Sequence, residues 1–186
     1  PERLDANKLI EEFMIQANVS AAETLEARKQ ALVYRIHDAP SLAKQESLRE
    51  FLHTLGLSLA RGAQMRPSQF NGILERVRGA DSEALVNEVV LRSQSQAEYS
   101  PANIGHFGLN LRRYAHFTSP IRRYADLIVH RALIAALGLG AGGLTGEEEA
   151  RLEEIAALIS AAERRGLAGQ PGAGRRPGAG LSGEGL

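Results

Sequence analysis

The residues able to do chemistry crowd into one stretch, His106 to Arg131, which reads HFGLNLRRYAHFTSPIRRYADLIVHR. It holds five arginines and three histidines against a single acid, Asp126. The whole chain balances 22 Lys+Arg against 22 Asp+Glu, so positive charge is concentrated here. Ser119 followed by Pro120 predicts an N-cap and a first helical residue. The hydroxyl accepts an orphaned N–H, and proline lacks the donor that would be left over. A helix beginning at Pro120 puts Arg122 and Arg123 in its first turn, where the dipole disfavours each cation by roughly 0.3–1 kcal/mol. A bound anion removes that conflict. Free N–H groups, the Thr118 and Ser119 hydroxyls and two forked guanidinium groups together suit a phosphate.

Arg122, Asp126 and His130 recur every four residues, so they share a helical face on which Asp126 is expected to hold Arg122. Ile121, Tyr124, Leu127 and Ile128 supply a neighbouring apolar stripe. The same spacing also fits a solvated basic helix with a routine ion pair.

Several identities in fixed order sharpen the reading: His106-Phe107-Gly108-Leu109, then Tyr114 through Tyr124, then Asp126 and His130. They resemble the signature of the RNB family of exoribonucleases, of the ribonuclease R and ribonuclease II type. Segments at Leu9–Asn18, at Tyr34–Asp38 with Pro40, and at Leu91–Ser93 extend the resemblance over roughly residues 5 to 140. It implies an α+β fold, here the mainly helical C-terminal part of an RNB catalytic domain with a few short strands. It implies processive 3′→5′ hydrolysis of single-stranded RNA to nucleoside 5′-monophosphates with Mg²⁺. Arg122 matches the family arginine that contacts the scissile phosphate, and so is the expected catalytic residue. Arg123, Thr118 and Ser119 are expected to position backbone phosphates. Glu11 or Glu12 is expected near the RNA 3′ end, and His106 to be structural or to touch the RNA backbone.

The resemblance also marks what is missing. Two-metal hydrolysis needs clustered carboxylates, yet the four aspartates stand at 5, 38, 81 and 126, each more than 30 residues from the next. In the family, the metal-binding aspartates and the base-stacking aromatics precede the matched part. No metal ligand is therefore expected in this chain, and the chain alone is expected to be inactive. Its expected partners are the native upstream part of the domain and RNA-binding barrels of the S1 type. A non-catalytic RNA-binding or scaffold module is the alternative.

Around this stretch, composition is that of a globular protein, with 44% hydrophobic residues and no cysteine. The absence of disulfides and thiolate sites makes a cytoplasmic protein the default. No span approaches the roughly 20 apolar residues of a membrane helix. A first residue of Pro rather than Met is expected of a chain that starts inside a longer one.

Apolar residues at Ile10, Met14, Ala17, Ala21 and Leu25 predict an amphipathic helix over Asn7–Arg28, with Glu11, Glu12 and Asn18 on its other face. Leu32–His37 reads as a strand ended by Asp38 and Pro40. Helices follow over 42–55, 67–78 and about 82–96, and then a loop over Tyr99–Gly105. Tyr114–Phe117 reads as a strand. Four glycines between 138 and 143 mark a linker to a last helix from Thr145 to about Arg165, with Leu152, Ile155 and Leu158 or Ile159 inward. Residues 1–165 are thus read as the incomplete domain. Residues 166–186, with eight glycines in 21 positions, form a disordered or aberrant Gly/Ala/Arg/Pro tail.

Overall fold

Buried apolar side chains collect in two clusters, and the elements follow from how each contributes to one of them. The computed structural model describes residues 5–60 and 65–168. The helices are α1 (Asp5–Ala27), α2 (Leu42–Thr54), α3 (Pro67–Val77), α4 (Glu83–Ser93), α5 (Tyr124–Leu137), α6 (Gly146–Ala150) and α7 (Leu152–Ala168). The strands β1 (Tyr34–Ile36) and β2 (Glu98–Ser100) pair antiparallel, with Arg35 opposite Tyr99. This is a mainly helical α+β architecture.

The first cluster joins Ala22 and Leu25 of α1, Val33 and Ile36 around β1, Ile128 and Val129 of α5, and Leu152 and Ala156 of α7. The second joins Leu48 and Leu52 of α2, Phe70 and Ile73 of α3, and Val86 and Val90 of α4. Phe107 packs against this second cluster, edge-on to Phe70 at 5.9 Å. Its neighbour His106 lies beside the buried Tyr114, which directly precedes Ala115 of the first cluster. The 106–109 segment therefore links the second core to the run that enters the first.

Local signals set α2 and α3. The Ser41 hydroxyl accepts from the Lys44 N–H, and Gly56 beyond the helix end has φ +71°, a conformation glycine adopts without steric cost. Pro67 opens α3 at the first helical position.

Three expectations are corrected. Tyr99 lies in β2, within the stretch read as loop, because strand pairing and a hydrogen bond from the Tyr99 N–H to Ser160 Oγ at 2.8 Å supply what local composition does not. Residues 114–117 run extended outside any strand, with only Tyr114 O accepting from the Arg35 N–H at 2.9 Å along that edge. The last helix is two: a capping box on Thr145 and Glu148 starts α6, and α7 begins after Arg151. As expected, helix α7 turns Leu152, Ile155 and Ile159 toward the first core, with Ala156 and Ser160 also buried and Leu158 exposed, and it runs to Ala168. The rest of the expected tail, 169–186, lies outside the described residues.

Helix α1 keeps its periodicity but buries only its second half. Leu9, Ile10, Phe13 and Met14 are exposed, since no element among the described residues packs on its first turns. Among the described residues no helix is long and apolar enough to cross a membrane.

Candidate phosphate-binding site

The arginine-rich turn is built differently from the helix that its Ser-Pro start predicts. Ser119 O accepts from the Arg122 N–H at 3.3 Å and the Arg123 N–H at 3.1 Å, so residues 119–123 close a turn. Arg123 is the N-cap of α5, which begins only at Tyr124. Proline with its fixed φ suits the second position of such a turn as well as a helix start, which is why the sequence misplaces the boundary by four residues.

This shift reassigns the carboxylate. Asp126 is fully buried at the third position of α5 and accepts from Arg123 Nε at 2.8 Å, Arg123 Nη2 at 2.9 Å and the Ser119 N–H at 2.8 Å. It pairs with Arg123, not with Arg122 as the four-residue spacing implies, because Arg122 lies outside the helix where that spacing rule applies. Asp126 also answers the helix dipole, so no bound anion is needed to relieve a first-turn conflict. Arg122 is exposed, and its side chain has no hydrogen bond or ion pair among the described residues. Arg123 thus anchors the turn while Arg122 projects from it.

The run leading into the turn is clamped from two sides. Asn18 of α1 is 3% exposed; its Oδ1 accepts from the Phe117 N–H at 2.9 Å and the Thr118 N–H at 3.3 Å, and its Nδ2 donates to Tyr114 Oη at 2.9 Å. Sequence reading set Asn18 on the solvent or ligand face. Its place between Met14 and Ala21/Ala22 on the apolar stripe was the available signal for a buried polar clamp. From α5, His130 Nε2 lies 2.8 Å from Phe117 O, and its ring stacks on Phe117 at 4.3 Å. Tyr114 is buried and Phe117 packs against the core, so both rings serve packing. The Thr118 hydroxyl oxygen is shut off from solvent and has no hydrogen-bond partner among the described residues.

The remaining expected site residues lie at different distances from this turn. Glu11 and Glu12 are both exposed on the first half of α1. Glu11 stands seven residues before Asn18, about two helical turns or roughly 10 Å along the same face, whereas Glu12 is rotated by about 100° from it. His106 is built into its loop: its Nδ1 accepts from the Leu109 N–H at 3.2 Å, and its ring lies 5.1 Å from His37 and 5.4 Å from Tyr114. Burial, then the nearby His37 and Arg35 charges, push its pKa down to about 4. His116 is pushed down to about 3, chiefly by burial and then by the Arg123 and Arg35 charges. Both rings are neutral near pH 7. Among the described residues no group of three or more His, Cys, Asp or Glu is arranged to hold a metal ion.

The model of the RNB domain matches residues 1–138. The chain belongs to the RNB family. It is similar to ribonuclease R of Escherichia coli (strain K12), 45% identical over 172 residues, covering 88% of this chain and 21% of that protein. Ribonuclease R of Vibrio parahaemolyticus is 46% identical over 131 residues, covering 70% of this chain and 16% of the relative. The apo form of Mycoplasma genitalium RNase R shares the fold with TM-score 0.81 and 31% identity, over 90% of this chain and 27% of that one. This RNB chain therefore spans about a fifth of the length of the curated relatives it matches. Both the signature turn and the Asn18 clamp fall within the matched residues.

Proposed function

We propose that this chain is the part of a 3′→5′ exoribonuclease that holds the phosphate being cleaved, with single-stranded RNA as its ligand. The observation that carries the reading is Arg122: an exposed guanidinium, free of partners among the described residues, on a turn locked by a buried ion pair. Its fork offers two parallel N–H donors to a phosphate. As charge builds on the scissile phosphate, such a donor, ordered by the bound phosphate, lowers the barrier by several kcal/mol. Thr118 and Ser119, on the same turn, are the further residues we assign to positioning backbone phosphates. Arg123 has one nitrogen, Nη1, left for RNA. Glu11, on the Asn18 face, is the acid we assign to the RNA 3′ end ahead of Glu12, and His106 supports the loop from the opposite side of Tyr114.

RNase R of M. genitalium has been solved in complex with ribose-methylated single-stranded RNA and with double-stranded RNA, which supports RNA as the ligand here. Mg²⁺, held by ligands elsewhere in the longer protein, would supply the activated water. The chain alone is accordingly inactive in this reading. A non-catalytic RNA-binding module is the second reading.

The test is Arg122→Ala in the full-length protein, following Mg²⁺-dependent release of mononucleotides from 3′-labelled single-stranded RNA. The expected result is a fall in kcat of about 100-fold or more, with a shallower salt dependence of binding, by about 0.7 per lost phosphate contact. Wild-type turnover in the variant would overturn the reading. No mononucleotide release by the intact protein, together with salt-dependent RNA binding that the variant weakens, would establish the second one.

A further inference from the structure

We propose that Glu163 of α7 is a positioning residue for the phosphate-binding turn, acting through Arg35, Tyr99 and His116. The inference rests on the reading of the Arg122 turn given above and assigns a task to a helix that lies beyond the residues matched by the family model.

The contacts form one continuous path. Glu163 accepts from Arg35 Nη1 at 2.6 Å and from Nη2 at 3.0 Å, a two-point grip that fixes the plane of the guanidinium. Only 14% of the Arg35 side chain is exposed, against 37% of Glu163, so the guanidinium end of the pair is shielded while the carboxylate end meets solvent. Arg35 faces Tyr99 across the β1–β2 pair, and its Cζ sits 4.6 Å above the Tyr99 ring. Helix α7 also holds the partner strand β2 directly, through Ser160 Oγ, which accepts the Tyr99 N–H. The Tyr99 hydroxyl then lies 2.9 Å from His116 Nδ1, with the two rings edge-on at 5.6 Å.

His116 is the residue from which the clamped run departs. Immediately after it come Phe117 and Thr118, whose N–H groups Asn18 holds, and Ser119, whose N–H Asp126 holds. Asn18 and Asp126 therefore fix the run at its middle and end, and Tyr99 fixes its start. Loosening Arg35 lets the Tyr99 ring tilt, and a tilted ring no longer places its hydroxyl on His116. A displacement of about 1 Å at a reacting centre is enough to cost up to about 100-fold in rate.

The experiment uses the full-length protein with single-stranded oligoribonucleotides. Glu163→Gln keeps the shape of the side chain but turns one acceptor into a donor and so breaks the two-point grip. Tyr99→Phe keeps the ring and the Arg35 stack and removes only the hydroxyl on His116. Both variants are expected to lower kcat by about tenfold while KM stays within about twofold. Both are also expected to shift the His116 ring resonances at a melting temperature near that of the wild type. Wild-type kcat in both variants, with activity lost in Arg122→Ala, overturns this inference and leaves the function standing. Wild-type kcat in Arg122→Ala overturns both. Should Glu163→Gln melt early, Tyr99→Phe decides, since it leaves the ion pair intact and an unchanged kcat there rejects the proposal.

Discussion

Arg123 and Asp126 meet at the start of α5 through two parallel contacts, Nε to Oδ2 at 2.8 Å and Nη2 to Oδ1 at 2.9 Å, with the carboxylate fully buried. Removing one partner of a buried pair strands the other charge, at a cost of roughly 3–5 kcal/mol. Arg123 keeps 24% of its side chain exposed, which places Asp126→Asn toward the low end, about 3 kcal/mol. Arg123→Lys retains the charge but not the fork, and is expected to lose about half as much. Urea unfolding with an unchanged m-value measures both. An Asp126→Asn protein as stable as the wild type would show that the pair does not hold the turn.

Gly108 is required by a neighbour 71 residues away. Its N–H donates to His37 Nδ1 at 2.9 Å, and a Cβ at position 108 would stand 2.8 Å from that same nitrogen. His37 cannot simply retreat, because its Nε2 lies 2.8 Å from Ser95 O. Gly108→Ala is therefore expected to cost about 1–3 kcal/mol through overpacking. Adding His37→Ala should recover part of that loss, with a coupling of about 1 kcal/mol in a double-mutant cycle. Strictly additive effects would mean that the steric contact is not the cause.

Stability should fall on mild acidification, and two histidines set the window. His106 and His116 are held down at about 4 and about 3, in each case mainly by burial, whereas an unfolded chain protonates histidine near 6.5. Between those values the unfolded state binds more protons, so stability rises with pH. Their contribution is fully present above about 6.5 and is lost as pH drops toward 4 for His106 and toward 3 for His116. Urea unfolding at pH 7, 5.5 and 4 should show this decline, with a shallower slope for His116→Gln. The same slope in wild type and variant would mean that His116 titrates normally in the folded protein.

The Glu163–Arg35 pair and the Arg122 turn show where reading residues in order stops working. Helices α2 and α3 were legible because their signals lie within a few residues: Ser41 caps, Pro67 starts, and Gly56 and Gly79 end with positive φ. The signature run and the family it resembles were legible for the same reason, since residue identities in fixed order need no coordinates. The β2 strand was not, because its three residues, Glu98 to Ser100, run straight into Pro101, carry no pattern of their own and take their form from β1 and α7.

What the sequence determined by itself was the concentration of cations at 106–131, the apolar periods of the helices and the kinship with the RNB family. Only the tertiary structure decided which arginine Asp126 would hold, that Asn18 faces inward, and that a carboxylate on α7 reaches Arg35 across 128 residues. The physical reason is one of range. Caps and periodicity act over one or two turns of backbone, whereas a buried charge or amide takes whichever partner the packed core brings within about 3 Å.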